Sequence, residues 1–463
     1  MTREDNITRL SIPYAIWILA LPSSLKFIGH FLFEVVDAFW VGQLGKDALA
    51  AVGGTSLYIW AYFALMQLTL SGSNALIAQA IGSSEKEKSL RIAGTGVFLS
   101  FLCSLVLLAF YGYIKEDMLR ILGLKGRAYV MGNDYLTTFI VAAPIYYLWG
   151  IFEEIINARG QTQVNLFIVG ICILINLVLD PFLIYGYGPF PRWEVIGAQV
   201  ASIVSATTGL VLSFCFCVRK GYFTGLSCES RLFVPIFKIG VPRACGDLFF
   251  CLTYVGLSHL IEKFGNEALA AWMVCHRLEG FAYFIGMGFS TSAMTMVGQY
   301  KGAMDPRKAV KSVRSTLFFV SFLLSIDSIV LFFLGEKMVS FFTQDPLVLQ
   351  YGGEYLRIVA LTHVLLGWEI VLGGAFVGTG NTFPHMSIVA PLTFARIPAS
   401  YWLIPYWGIA GVYWAISIST LLKGMALCIW FFSAMRTQIY SKKGESVGTR
   451  IGKKDQGPSI FTP

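Results

Sequence analysis

Charge is scarce in this chain. Only 13% of its 463 residues are Asp, Glu, Lys or Arg, about half the usual share for a soluble protein. The length would allow two or three water-soluble domains, and this composition excludes them. No GxxxxGK[ST] loop is present to cradle ATP and no HExxH to hold zinc. Neither nucleotide-driven pumping nor an enzyme is therefore expected, nor any bound cofactor. The nine cysteines contain no CxxC pair. Cys103, Cys172, Cys251 and Cys428 sit singly in apolar runs. Cys215 and Cys217 form CxC with no histidine near them. All are read as small core residues rather than metal ligands or disulfides. The charged N-terminus lacks a small-residue cleavage site, so the first apolar run is expected to be retained.

Hydrophobic residues make up 56% of the chain. They gather into twelve runs, at 12–42, 49–80, 92–113, 130–157, 163–187, 195–218, 233–262, 269–300, 312–334, 354–377, 383–407 and 409–433. Runs of about 20 residues span a bilayer as helices, whereas barrel strands would be half as long and alternate. The expected fold is an all-α polytopic membrane protein of twelve transmembrane helices. With both termini on one side, the loops of that side hold twenty-one basic residues and the opposite loops eight. The positive-inside rule puts both termini in the cytoplasm. The loop around Lys115–Arg127 is the one dissenter. The net charge of +8 thus reflects topology, and no nucleic-acid partner is expected.

The sequence repeats itself with a shift of 220. LPSSL at 21–25 matches VPRAC at 241–245, GKDALAAV at 45–52 matches GNEALAAW at 265–272, and RGQT at 159–162 matches TGNT at 379–382. One constant offset indicates an internal duplication. Six spans per copy return the chain to the same side, so the two copies are parallel and enclose a central cleft. The expected division is an N-lobe at 1–218, a cytoplasmic linker at 219–232, a C-lobe at 233–435 and a disordered tail at 436–463.

Ionisable groups at membrane depth cost a few kcal/mol unless paired or hydrated. Four of them, Lys26, His30, Glu34 and Asp37, share one face of the first span through steps of four, four and three. Pro22 in that span permits a bend. Asn176 and Asp180 are four apart on the fifth span. With Asp37 and a hydroxyl they would form an oxygen-rich cage for a hard cation such as Na+, or a carboxylate pair that shares a proton. The counterparts of Asn176 and Asp180 in the second copy are Arg396 and Ser400, so the acidic site belongs to the first lobe. Glu153, Glu154, Glu279 and Glu369 are further acids that could meet a cationic substrate or a second proton. Asp327, and Asp247 with Arg243, look like paired structural groups. Among many aromatics, Tyr146 could line a substrate cavity, as could the adaptable Met66.

The stretches LPSSLKFIGHFLFEVVDAFWVGQLGKDALAAVG at 21–53, RLEGFAYFIGMGFSTSAMTMVGQYKGAMDP at 277–306, NARGQT at 157–162 and GAFVGTGNTFPH at 374–385 resemble the multidrug and toxic compound extrusion (MATE) family, in particular its DinF-like and archaeal branch. The resemblance covers residues 10–435. It implies two lobes forming a V and efflux of organic, mainly cationic, compounds driven by inward H+ or Na+ flow, by a protein working as a monomer. It further implies a coupling site at Asp37, Asn176 and Asp180, a hydroxyl ligand at Ser202, a hinge at Pro22 and a second acid at Glu279. Lys26, His30, Glu34 and the Glu153–Glu154 pair depart from the family pattern. A lipid-linked oligosaccharide flippase of a related superfamily is the rival reading. It would need a basic cavity, for which Lys26, Arg243 and Arg396 are available.

Overall fold

A computed structural model describes residues 7–452, with side chains through Met435. Among them there is no strand. A short 3-10 turn at Ile7–Arg9 leads into fourteen helices. The first lobe holds α1 (Ile12–Gly42), α2 (Lys46–Gly82), α3 (Lys86–Ile121), α4 (Gly126–Ala158), α5 (Thr162–Tyr185) and α6 (Val195–Arg219). The second holds α7 (Ser230–Glu262), α8 (Asn266–Gly302), α9 (Pro306–Val339), α10 (Pro346–Ala360), α11 (His363–Thr379), α12 (Phe383–Phe394), α13 (Arg396–Trp407) and α14 (Ala410–Gly452).

Nine of these helices are long and apolar enough to cross a membrane. The pair α10 and α11, bent by 58° at its break, makes a tenth span. The helix α8 and the pair α12–α13 occupy the positions of the expected eighth and eleventh spans. Each carries charge at membrane depth, Arg277 and Glu279 on α8 and Arg396 on α13. Two of the expected single spans, the tenth and the eleventh, are broken. In the eleventh the cause is Pro398, which lacks the N–H that would bond the carbonyl of Phe394.

Local chemistry sets several ends. The Asp305 carboxylate accepts from the N–H of Lys308 at 3.0 Å before α9. Asp345 accepts from Leu347 and Val348 before α10. Both are side-chain N-caps followed by proline at the first helical position. The lipid-facing stripe is plain on α9, where Phe318, Phe322, Ile329 and Phe333 are all more than half exposed. Val313, Val320, Leu324 and Leu331, on its other face, are buried.

The duplication is visible in the backbone. Left-handed residues recur at the same offset of 220: Gly45 and Gly265 (φ 109°), Ser84 and Met304 (64° and 59°), Gly160 and Gly380 (76° and 74°). So do side-chain bonds. Thr162 Oγ1 donates to the carbonyl of Leu19, and Thr382 Oγ1 to that of Ile239. Gln79 Nε2 donates to the carbonyl of Gly378, and Gln299 Nε2 to that of Ala158. This last couple crosses between the lobes.

The lobes are clamped at one end, called here the floor. A Cβ on Gly82 would fall 1.9 Å from the carbonyl oxygen of Gln299, and one on Gly302 would fall 1.9 Å from that of Gln79. Gly72 and Gly240 similarly abut the backbones of Ile236 and Leu68. At the opposite end Gly42, Gly45 and Gly53 face open space. Helix backbones thus touch at the floor, while nothing approaches these three glycines at the other end.

One segment differs from the sequence reading. The helix α14 runs on to Gly452, so 436–452 is helical where disorder was expected. Once a long helix exists, each added residue brings its own hydrogen bond. Residues 453–463 of the expected tail lie outside the described residues. The linker at 219–232 is docked against the first lobe. The Arg159 guanidinium lies 4.4 Å from the Tyr222 ring centroid, and Arg91 pairs with Glu229 at 3.3 Å.

Candidate functional site

The first lobe brings together four residues from three helices. Asp180 and Asn176 stand one turn apart on α5 and are 0% and 1% exposed. Asp37 reaches them from α1, half-buried, with its carboxyl facing that of Asp180 and the hydroxyl of Ser202 on α6. With its amide oriented to suit its neighbours, Asn176 donates to Asp37 Oδ1 at 3.3 Å and to Asp180 Oδ2 at 3.0 Å, and accepts from the Ser202 N–H at 3.3 Å. Two carboxyls, an amide and a hydroxyl therefore converge, Asn176 and Asp180 buried and Asp37 and Ser202 half-buried. Two carboxylates in such contact are held together by a shared proton or a cation. The carboxyl and hydroxyl oxygens are of the kind a hard monovalent ion accepts, while the Asn176 amide nitrogen in this orientation only donates. Among the described residues no group of three or more His, Cys, Asp or Glu is placed to hold a metal ion.

The rest of the α1 stripe divides. Lys26 is buried and bonds Glu153 Oε2 on α4 at 3.4 Å, so it does not neutralise Asp37. The ring of His30 lies 6.1 Å from that of Trp149. Glu34 is exposed on the cleft side, within electrostatic reach of Arg277 on α8. Pro22 is buried within α1, which continues through it as one helix. Tyr146 is half-buried, accepts from Gln199 Nε2 at 3.2 Å and stacks on Phe139. Met66 is packed in the first-lobe core against Gly150.

The second lobe is wired differently. Arg396, which stands where Asn176 does, donates to the hydroxyls of Ser419 and Thr420 at 2.6 and 3.0 Å. Ser400, in place of Asp180, bonds back to the carbonyl of Arg396. Glu369 pairs with Lys423 of α14 at 2.7 Å, and Arg243 with Asp247 at 3.0 Å. Glu279 accepts from the Tyr355 hydroxyl at 2.7 Å and faces His276 and His363. His363 also bonds Asp327 at 2.7 Å. Neither Lys423 nor His363 stood out in the sequence. The available signal was a lone lysine in the last apolar run, which requires an acid from some other span. Of the cysteines, Cys215 and Cys228 are exposed rather than core, and all nine are free.

A family model, MatE, matches residues 22–182 and 245–402, one stretch in each lobe. The chain belongs to the MatE family. It is 25% identical over 426 residues to a probable multidrug resistance protein, NorM, of Thermotoga maritima, covering 89% of this chain and 90% of that one. It is 25% identical over 431 residues to an FAD transporter of Shewanella oneidensis, covering 91% and 95%. The fold is that of a solved multidrug resistance MATE family transporter in an outward-facing conformation, with a TM-score of 0.88 at 20% identity, covering 94% and 99% of the two chains. This MatE protein is therefore a multi-pass, two-lobed membrane transporter of a multidrug efflux family.

Proposed function

We propose that this protein is a secondary antiporter that exports small organic compounds, mainly cations, in exchange for H+ or Na+. The floor would be the cytoplasmic side, as the basic residues of its loops suggest, and the protein would work as a monomer in the inner membrane. The observation that carries the reading is the Asp37–Asn176–Asp180–Ser202 cluster. In it two carboxyls from different helices meet, and no basic side chain bonds either of them among the described residues.

With the floor clamped and the far ends apart, the pair would take up its ion from outside. Neutralising it lowers the cost of a drier arrangement in which α1, hinged at Pro22, closes over the site and displaces substrate. The ion drives the cycle only through its different affinity for the two arrangements. His30, Glu34 and Tyr146 would border the substrate path. Glu279 and Glu369 would act from the second lobe, and Met66 from within the core.

The test is uptake of a fluorescent organic cation into inside-out vesicles under an imposed pH or Na+ gradient. Transport driven by one gradient, and lost in Asp37→Asn and Asp180→Asn, is the expected result. Undiminished transport in both variants would overturn the assignment. Of the three basic residues the flippase reading needs, Lys26 and Arg243 are committed to Glu153 and Asp247, which leaves it Arg396, bonded to Ser419 and Thr420.

A further inference from the structure

The Glu153–Glu154 pair and Lys26 form a second polar cluster, nearer the floor, that the coupling site does not use. Glu153 Oε2 is taken by Lys26. Glu154 Oε2 accepts from Asn74 Nδ2 at 2.6 Å and its Oε1 from Asn157 Nδ2 at 3.4 Å. Asn165 Nδ2 donates to the carbonyl of Glu153 at 2.9 Å and to Asn157 Oδ1 at 2.8 Å. Asn74, Asn157 and Asn165 are each at most 3% exposed. Lys26 is one cation against two carboxylates. His30 and Cys172 are the other titratable groups facing the cluster.

Three oxygens of this connected set are buried and without a hydrogen-bond partner: Glu153 Oε1, Asn74 Oδ1 and Asn165 Oδ1. Acceptors left so in an apolar surrounding are costly. An excess carboxylate beside them is costlier still. Both deficits call for the same remedy, one positive charge bound by oxygen.

We propose that the Lys26–Glu153–Glu154 cluster is a second site for a monovalent cation, one proton or one Na+, separate from the Asp37–Asp180 site. A proton would bond to a glutamate oxygen and be donated onward to an asparagine oxygen. A sodium ion would be held by the unpartnered oxygens directly. The cluster also touches the clamp between the lobes, since Thr295 of α8 donates to the carbonyl of Asn157 at 3.1 Å. Filling and emptying it therefore bears on floor opening. The antiport reading enters in the consequence, two ions per cycle, and in the proton assay below, where an organic cation displaces the bound protons.

The experiment uses full-length protein in nanodiscs and does not need transport. Bound 22Na+ is counted, and so are protons released when tetraphenylphosphonium is added. The expected count is two per protein in one of the two assays. It falls to one in Glu154→Gln, to one in Asp180→Asn and to none in the double variant. Which assay responds names the ion. A count unchanged by Glu154→Gln in protein that elutes and melts like wild type overturns the proposal. Should that variant misfold, Lys26→Met decides. Removing the internal cation should tighten cation binding by roughly tenfold, the scale of a typical coupling between neighbouring charges. Unchanged affinity would sink the idea. A protein that binds two ions yet moves no substrate under either gradient would retain this site and lose the antiport reading.

Discussion

Single residues carry the chemistry, and their value depends on what they touch. The Glu369–Lys423 pair is the clearest case, with the lysine 1% exposed and 2.7 Å from its acid. Removing one member leaves the other as an unpaired charge in the lobe interior, a loss of about 3–5 kcal/mol. Lys423→Met should therefore lower the thermal midpoint sharply, and adding Glu369→Gln should recover most of it. If the single variant melts like wild type, the pair contributes nothing to the fold. At this scale the sequence was informative where spacing decides geometry. Asn176 and Asp180 had to share a face of one helix, and the stripe from Lys26 to Asp37 had to face inward. It was silent where partners come from different helices. Lys26 finding Glu153, and His363 lying between Asp327 and Glu279, depend on which spans are neighbours, and hydropathy does not contain that.

Elements were legible as far as their apolar cores extend. Boundaries ran outward by several residues because charged ends continue the helix into the headgroup region, as in α3 and α9. The breaks in the tenth and eleventh spans were invisible to a hydropathy run. The tight turns after α2 and α8 make a testable point at this scale. Ser84 and Met304 hold φ of 64° and 59°, a conformation costing a non-glycine residue about 1–2 kcal/mol. Met304→Gly should raise the thermal midpoint, unless the lost side chain had packing of its own to give up. Met304 is 68% exposed, so that loss is small. An unchanged or lower midpoint would show that the turn is not strained. The neighbouring glycines predict the opposite sign. At Gly82 a side chain would collide with the backbone of Gln299, and backbone cannot rotate away as a side-chain tip does. Gly82→Val should hold the floor ajar, seen as faster thiol labelling of a cysteine placed at Ala78 and as slower transport. Labelling at the wild-type rate would mean that the helices can part there at no cost.

On the scale of the molecule, a symmetric scaffold supports unsymmetric chemistry. The duplicated threonines, glutamines and left-handed turns preserve the clamp. The corresponding interior positions have diverged into Asn176 and Asp180 in one lobe and Arg396 and Ser400 in the other. On the antiport cycle proposed above, the two lobes part at the floor to load substrate and release the ion. Within the clamp a Cβ on Gly298 would lie 2.7 Å from that of Ala78. A disulfide needs about 3.5–4.5 Å between Cβ atoms, so Ala78→Cys with Gly298→Cys should bridge after a slight separation of the lobes. Oxidation should then halt substrate efflux, and reduction should restore it, while either single variant keeps transporting under oxidant. Efflux that continues through a bridged floor would mean that substrate leaves without the lobes parting there. The clamp would then be a fixed seam, and movement would have to be sought within the first lobe alone, in α1 above Pro22.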